Sequence, residues 1–404
     1  MPKNENQQLL LDLFAAYFDA RKHKRQTASA LAFEANYEEK LFALYEEIKN
    51  FQYKINPSIC FVVEKPVRRE IFAADFRDRI VHHLIFNAIN PIFEKHFIKD
   101  SYSCRIGKGT SYGIKRVDHF IRSCSENYQK DCWILKLDIS GYFMSMDRNI
   151  LYAKIEKKLK SYFLEAKPPL GGLASKKVEL DLLLYLLQKV IFNDPTKNCF
   201  VNGTRQDWVG LPRTKSLFGA KPGKGFPIGN LTSQLFGNIY LDEFDHFVKE
   251  KLKIKHYGRY VDDMVFVHQD KELLKSIVQK AKNFLQSQLQ LTLHPKKIYL
   301  QNFCKGVQFL GTFTKPYRIY IASRTKQNFY AKIKIYNEMG RQKGDFSKEE
   351  SQALLACTNS YLGIMKHRRT FALRKKMIKI FAKEILQSFQ ISEKFEKISV
   401  AILI

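Results

Sequence analysis

The chain has 404 residues, 45% of them hydrophobic and 13% aromatic, enough to bury a sizeable core and to exclude wholesale disorder. Lys and Arg number 68 against 40 Asp and Glu, a formal +28, which points to a polyanionic partner, nucleic acid before a membrane surface. No run of about 18 uncharged apolar residues occurs, so a transmembrane helix is excluded, and the acidic, glutamine-rich start has no signal-peptide pattern. The seven cysteines (Cys60, Cys104, Cys124, Cys132, Cys199, Cys304 and Cys357) are scattered with no C-x-x-C pair. That argues against a zinc ribbon or a disulfide framework and for reduced thiols in a cytoplasmic protein.

In chain order, residues 8–50 read as helical, with Leu9, Leu13, Ala16 and Tyr17 at helix spacing. A second helical block spans about 74–97, where Ile80, Leu84, Ala88 and Ile92 recur every four residues. Gly107, Gly109 and Gly113 mark a cationic loop. WILKLDI (133–139) has strand periodicity, and Asp147 is placed to cap a helix carrying Leu151, Ile155 and Leu159. VELDLLLYLLQKVIF (178–192) is apolar nearly all round and predicts a buried helix. Residues 195–225 read as an irregular loop, and a helix is predicted from about 232 to 253. HYGRYVDDMVFVH (256–268) is a hairpin around an Asp-Asp pair. A helix through Leu274, Ile277, Val278, Ala281 and Leu285 follows, then strands over 291–300 and 306–313. This order predicts an α+β fold with a small antiparallel sheet backed by helices. Residues 315–383 hold 17 Lys/Arg against 4 Asp/Glu and predict a basic helical domain, and the apolar ISVAILI at the end needs something to dock on.

Asp138 ends an apolar strand, and Asp262 and Asp263 sit at the tip of an apolar hairpin. An Asp-Asp pair alone is most often an ordinary turn. Tyr260 before it, the apolar flanks and the upstream Asp138 favour another reading. Carboxylates brought within about 4 Å repel unless a cation neutralises them, and magnesium suits a carboxylate-and-water site. Two such ions about 3.5–4 Å apart clamp the attacking and leaving oxygens of a phosphoryl transfer.

These residues resemble reverse transcriptases. Tyr260-Val261-Asp262-Asp263 resembles their Y-x-D-D box, LKLDISGYF (135–143) their first palm motif, and FPIGNLTSQ (226–234) their Pro-Gln-Gly box. LTLHPKK (291–297) is similar to the lysine-bearing motif and FLGTF (309–313) to the primer grip. RREIFAADFRDRI (68–80) and SYSCRIGKG (101–109) resemble two finger motifs. The order is kept over roughly residues 60–320. Within the family, Ile228-Gly229-Asn230-Leu231-Thr232-Ser233-Gln234 is similar to the [ILV]-G-x-x-x-S-Q signature of diversity-generating retroelements, whereas group II intron and retron enzymes normally keep Gln where Ile228 stands. No endonuclease or maturase extension follows the basic domain, an expected departure from a full intron protein.

The resemblance implies a right-hand polymerase: a helical extension over 1–64, fingers over 65–132, a palm over 133–320 with a finger-like insertion at about 160–225, and a thumb and tail over 321–404. It implies that Asp138 and Asp262 ligate two Mg2+ ions, with Asp263 supporting and the Ile139 carbonyl adding a ligand. Phe143 would be the steric gate against a ribose 2′-hydroxyl. Arg69, assisted by Lys65, would hold the incoming triphosphate, since a guanidinium fits phosphate oxygens bidentately. Lys296 or Lys297 would protonate the leaving pyrophosphate, Lys297 being grouped with the nucleotide site. Ile228, Gly229 and Gln234 would border the nucleotide. Ile228 replaces an amide with a side chain that cannot hydrogen-bond, which lowers discrimination between right and wrong pairs. Arg105 would contact the template backbone, and Lys366, Arg368, Arg369, Arg374, Lys375 and Lys376 the template–primer duplex.

The activity so implied is RNA-directed DNA synthesis from deoxynucleotides on a template-repeat RNA, error-prone at adenines, in mutagenic retrohoming. The branch also implies a pentameric accessory variability determinant as partner, and no membrane. A defence-associated or group II intron-like reverse transcriptase is the alternative in the same class. A non-catalytic RNA chaperone is the alternative in another, disfavoured by three intact acidic residues.

Overall fold

The computed structural model describes residues 5–22, 27–64, 67–165, 172–343 and 346–400. The chain divides into two compact units. Met1–Gly109, Leu135–Phe266 and Glu272–Tyr299 form the first, and Thr110–Ile134, Val267–Lys271 and Leu300–Ile404 the second.

The first unit opens with α1 (Glu5–Arg21), α2 (Ala28–Glu34) and α3 (Tyr37–Lys49), three helices where one stretch was expected. Asn36 leaves helical geometry between α2 and α3 (φ −136°, ψ 50°). Leu13, Ala16, Tyr17 and Ala20 bury one face of α1. β1 (Ser58–Val63) and β2 (Arg69–Ala73) pair antiparallel with Cys60 opposite Phe72. In α4 (Phe76–Glu94), Asp75 caps the first turn by accepting from the Arg77 N–H at 3.1 Å. Ile80, Val81, Leu84, Ile85 and Ile89 bury its apolar stripe.

Past α5 (Thr110–Cys124), which belongs to the second unit, come β3 (Trp133–Leu137), α6 (Tyr142–Ser145) and α7 (Arg148–Glu165). Asp147 caps α7 as expected, its Oδ1 accepting from the N–H groups of Asn149 (2.9 Å) and Ile150 (3.2 Å). α8 (Gly172–Phe192) corrects an expectation: it is buried on one side only. Leu183, Leu186, Leu187 and Ile191 are covered, while Gln188 and Lys189 face solvent. β4 (Cys199–Val201) lies parallel to β1, so part of the expected loop closes a three-stranded sheet. Buried Glu70 pins the rest, accepting from Trp208 Nε1, Ser216 Oγ (both 2.7 Å) and the Leu217 N–H (2.6 Å).

α9 (Leu231–His246) ends earlier than expected, in a π-helical turn over Phe247–Lys251. β5 (His256–Tyr260) and β6 (Asp263–His268) form the hairpin, and α10 (Lys271–Leu289) buries Leu274, Ile277, Ala281 and Leu285. With β7 (Tyr299–Asn302) the sheet order is β5-β6-β3-β7. The strand expected over 291–300 is not continuous. Leu293 makes a single bridge to Ile139, Pro295 withholds a ladder donor, Pro295–Lys297 form a 3-10 turn, and β7 starts only at Tyr299.

In the second unit β8 (Val307–Phe309), β9 (Thr312–Lys315) and β10 (Arg318–Ile321) make a meander. The single strand expected over 306–313 turns at Leu310 and Gly311, both at positive φ (48° and 77°). α11 (Ser323–Lys343), α12 (Lys348–Lys366), α13 (Phe371–Ile378) and α14 (Lys383–Ser388) pack around Phe329, Ile333, Leu354, Leu362, Met377 and Ile378. Ser347 and Glu350 form a capping box on α12. β11 (Phe389–Ile391) and β12 (Ile398–Val400) pair antiparallel, with Ile398 docked in this core. The remainder of the apolar tail, 401–404, lies outside the described residues. The expected α+β class is borne out. Among the described residues no helix is long and apolar enough to cross a membrane.

Candidate active site

β3 and β6 are neighbours in the sheet, which brings Asp138, just past β3, toward Asp262 in the hairpin turn and Asp263 at the start of β6. The carboxylates feel one another. Burial, and then the charge of Asp138, pushes the Asp262 carboxyl up to about 6. Asp263 is raised first by burial as well, with the nearby Lys136 opposing. Two lysine ammonium groups stand in this cluster. Lys297 Nζ lies 2.9 Å from both oxygens of Asp138, and Lys136 Nζ 3.0 Å from Asp263 Oδ1. Of the two lysines left open by the sequence, it is Lys297 that reaches Asp138.

The carbonyl of Ile139 is oriented by its bridge to Leu293. The flanking bonds run from Ser140 N–H to Thr292 O (2.9 Å) and from His294 N–H to Asp138 O (2.8 Å). In an antiparallel pair of this kind the residue between them points its own N–H and C=O to the opposite edge, here the β6 side. Carboxylates plus that carbonyl are an all-oxygen donor set, which suits a hard divalent ion.

The hairpin tip is strained. Val261, a β-branched residue, has φ 56°, in the left-handed region. A buried network that sequence reasoning missed holds it there. Arg259 is fully buried and binds both oxygens of Asp245 from α9, at 2.6–3.1 Å. Its Nη1 donates to the Val261 carbonyl at 2.8 Å, and the Val261 N–H donates to Ser103 Oγ at 3.3 Å. Tyr257 OH also donates to Asp245, at 2.6 Å. No sequence periodicity marks a helix carboxylate and a strand guanidinium as partners.

Phe143 lies in α6, where the chain turns sharply at Gly141 (φ 53°). A Cβ there would meet Thr214 O at 2.7 Å. The Phe143 ring rests over Gly237 of α9 and beside Tyr142, at 5.3 Å between centroids. Phe143 and Ile228 pack on the same cluster, Cys60, Phe72, Met144 and Leu217. The Ile228 carbonyl accepts from the Phe72 N–H at 3.0 Å. Gly229 (φ 131°) has no room for a side chain, since a Cβ would lie 2.9 Å from Phe72 O. Gln234 is exposed on the first turn of α9. Arg69 is exposed on β2, near enough for its charge to act on the Tyr260 phenol, which burial chiefly raises. Lys65 lies outside the described residues.

Two expected nucleic-acid contacts are corrected. The Arg105 side chain is 5% exposed, bonded to Glu94 and to the carbonyls of Ile98 and Ser101, and cannot also reach a template phosphate. Arg374 is 4% exposed and holds the carbonyls of Lys394 and Phe395, which ties down the β11–β12 loop. Loop and helix cations read as solvated in a sequence; burial and carbonyl partners are visible only in three dimensions. Lys366, Arg369, Lys375 and Lys376 are exposed. Arg368 and Arg369 join Arg122, Arg318 and His367 around a cavity of about 640 Å³ in the second unit.

Residues 174–313 match the family described as "Reverse transcriptase (RNA-dependent DNA polymerase)". That span holds Asp262, Asp263 and Lys297, and Asp138 precedes it. The chain is 24% identical over 267 residues to "Protein YkfC" of Escherichia coli (strain K12), covering 58% of this chain and 60% of that one. It is 23% identical over 206 residues to "Nuclear intron maturase 4, mitochondrial" of Arabidopsis thaliana, covering 50% and 20%. It thus spans less than two thirds of either relative. Among solved structures, telomerase from Candida albicans, in complex with a fragment of telomeric RNA, aligns with a TM-score of 0.46 and 12% identity over 82% of this chain and 59% of that one.

Proposed function

We propose that the chain is an RNA-directed DNA polymerase. The observation that carries this is the meeting of Asp138 with Asp262 and Asp263 beside two lysine ammonium groups, an electrostatic arrangement that calls for divalent cations. Bound at these carboxylates and the Ile139 carbonyl, a pair of Mg2+ ions would activate the primer 3′-hydroxyl and neutralise charge on the departing pyrophosphate. The protein's own contribution is positional. The Arg259–Asp245 pair fixes the turn that carries Asp262, and Gly237 seats Phe143 as the gate against a ribose 2′-hydroxyl. Arg69 would draw in the triphosphate, and Lys297, which rests against Asp138, would donate the proton the pyrophosphate needs. Residues 65–132 serve as fingers, 133–320 as palm and 321–404 as thumb, whose exposed cations grip the template RNA and its cDNA duplex.

Its setting, we infer, is a diversity-generating retroelement in the cytoplasm, where a template-repeat RNA is copied with errors at adenines and a pentameric accessory protein takes part. The support is Ile228 in the I-G-x-x-x-S-Q box, an aliphatic side chain packed into an apolar cluster. A group II intron-like role is the second reading, favoured by the similarity to a protein named an intron maturase.

Primer extension on an RNA template with Mg2+ and deoxynucleotides tests the activity. Extension by the parent chain, lost in Asp262→Asn, is expected. No extension by the parent would leave a cationic RNA binder, and product from Asp262→Asn would remove the metal assignment.

A further inference from the structure

On the first unit, and sharing no residue with the Asp138–Asp262–Asp263 cluster, two helices bring together His96, Asp242 and His246. Asp242 and His246 are one turn apart on α9 and therefore project from one face. His96 follows the end of α4, and the two imidazole rings lie 4.7 Å apart between centroids. One donor atom from each of the three residues falls within 4.8 Å of the others. His96 Nδ1 is 2.6 Å from Asp242 Oδ2, and His246 Nε2 is 3.7 Å from Asp242 Oδ1. Donors around one tetrahedral ion, each about 2.0–2.2 Å from it, stand roughly 3.3 Å apart, which these separations bracket.

We propose that His96, Asp242 and His246 bind one transition-metal ion, with zinc the best match.

Three observations carry this beyond a chance cluster. The Asp242 side chain is 9% exposed, and its buried Oδ1 has no hydrogen-bond partner. A buried carboxylate oxygen without a donor is rare, and a cation facing it from His246 would satisfy it. Second, His246 already carries the outer support of a ligand histidine: its Nδ1 lies 2.6 Å from Glu250 Oε1, one turn further on. A carboxylate on Nδ1 fixes the tautomer that offers Nε2 to a metal. Third, the site opens outward. The His96 side chain is 44% exposed and that of His246 27%, so an ion can enter and keep water in a remaining position.

The donor set selects the ion. Two imidazoles and one carboxylate suit zinc and its transition-metal neighbours, whereas magnesium holds oxygen ligands and water. The site is therefore chemically distinct from the all-oxygen acidic cluster. In the structure His246 Nε2 donates to the His96 carbonyl at 3.1 Å. Metal binding removes that proton to solvent and frees the carbonyl for water. The ion would pin the end of α4 to the last turn of α9. That is the turn that also carries Asp245, the anchor of Arg259.

The test is calorimetric titration of the full chain with Zn2+ in millimolar Mg2+, which occupies the carboxylate cluster. One equivalent of Zn2+ is expected to bind, with protons released and the thermal midpoint raised. His96→Ala and His246→Ala should each weaken binding at least about 100-fold, and Glu250→Gln about 10-fold. Co2+ should give visible absorption bands in the parent, absent from His96→Ala. His96 lies at an exposed helix end, so His96→Gln serves as a variant that keeps the fold, checked by circular dichroism. Zn2+ binding unchanged in the folded His96→Gln and His246→Ala variants, or no Zn2+ uptake by the parent, would overturn the proposal. Neither result depends on polymerase activity.

Discussion

Lys297 holds its ammonium 2.9 Å from each carboxylate oxygen of Asp138, so one residue of the acidic cluster is neutralised before any ion arrives. Among the described residues Asp262 has no ion pair of this kind: burial, and then the charge of Asp138, raises its carboxyl to about 6, with Lys297 opposing only in part. Above that pH its negative charge strains the fold. Asp262→Asn should therefore abolish extension, by at least about 10³-fold, and at the same time stabilise the metal-free protein by up to about 3 kcal/mol. Urea unfolding in EDTA near neutral pH reads this directly, and a lower midpoint in Asp262→Asn would refute the electrostatic account. Lys297→Ala should cost about 10²-fold or more in kcat with little change in KM, while Lys296→Ala should have little effect.

Ile228 and Phe143 pack on one apolar cluster, Cys60, Phe72, Met144 and Leu217, and in the function proposed above both border the nucleotide. A glutamine at 228 restores a polar group that a mismatched pair leaves unsatisfied, so Ile228→Gln should lower misincorporation opposite template adenine by about 10-fold, a little over 1 kcal/mol. Phe143→Ala should admit ribonucleotides while deoxynucleotide extension persists. Sequencing the products of both variants checks the pair. An unchanged error spectrum in Ile228→Gln would detach fidelity from this side chain.

Asp78 and His82 lie one turn apart on α4 and are shifted by burial in opposite senses. Burial raises the Asp78 carboxyl to about 6, and burial lowers the His82 imidazole to about 4. The native state thus binds the Asp78 proton more readily than the unfolded chain does. That contribution grows as pH falls from about 6 toward the ordinary carboxylate value. His82 acts oppositely: its neutral ring accepts the fold above the ordinary imidazole value, and stability is lost as pH falls from there toward 4. The two offset one another in the parent. His82→Gln should therefore gain stability between about pH 7 and pH 5, by roughly 1–2 kcal/mol, and Asp78→Asn should lose a similar amount. Denaturant midpoints across that range measure the two slopes, and parallel curves for both variants would refute the two opposed burial shifts.

What the sequence disclosed divides along a physical line. Period-two apolar runs ending in Asp138 and in the Asp262–Asp263 turn are local patterns, and the structure has the strand and the hairpin where they put them. The α10 stripe through Leu274, Ile277, Ala281 and Leu285 is equally local. What escaped is non-local and polar. Arg259 and Asp245 are 14 residues apart on different elements, and neither stands out from the other 106 charged residues of the chain. Glu70 is one charge among several in RREIFAADFRDRI (68–80), yet it is buried and holds the 205–219 loop. Pro295 broke a strand that its neighbours' β-propensity favoured. Arg105 and Arg374 failed for the converse reason: their charge suggested phosphate, while carbonyl oxygens had already claimed them.

That last distinction can be measured on one helix. Arg374, Lys375 and Lys376 are consecutive on α13, and only the first is buried. Arg374 gives two hydrogen bonds to the loop carbonyls at 2.9 Å each and a third to Thr370 Oγ1 at 3.0 Å. Arg374→Met leaves those acceptors unpaired and should cost about 2–4 kcal/mol of stability. It should leave the salt dependence of RNA binding as it was. Lys375 and Lys376 face solvent, where a phosphate contact would release counterions. Lys375→Ala with Lys376→Ala should leave the unfolding midpoint within about 0.5 kcal/mol and reduce the slope of log K against log salt by nearly 2. Filter binding to an RNA–DNA duplex at several salt concentrations, run beside thermal unfolding, separates the two. A salt slope that falls in Arg374→Met but not in the lysine double variant would return Arg374 to the nucleic-acid surface and make the exposed pair an ordinary solvated face.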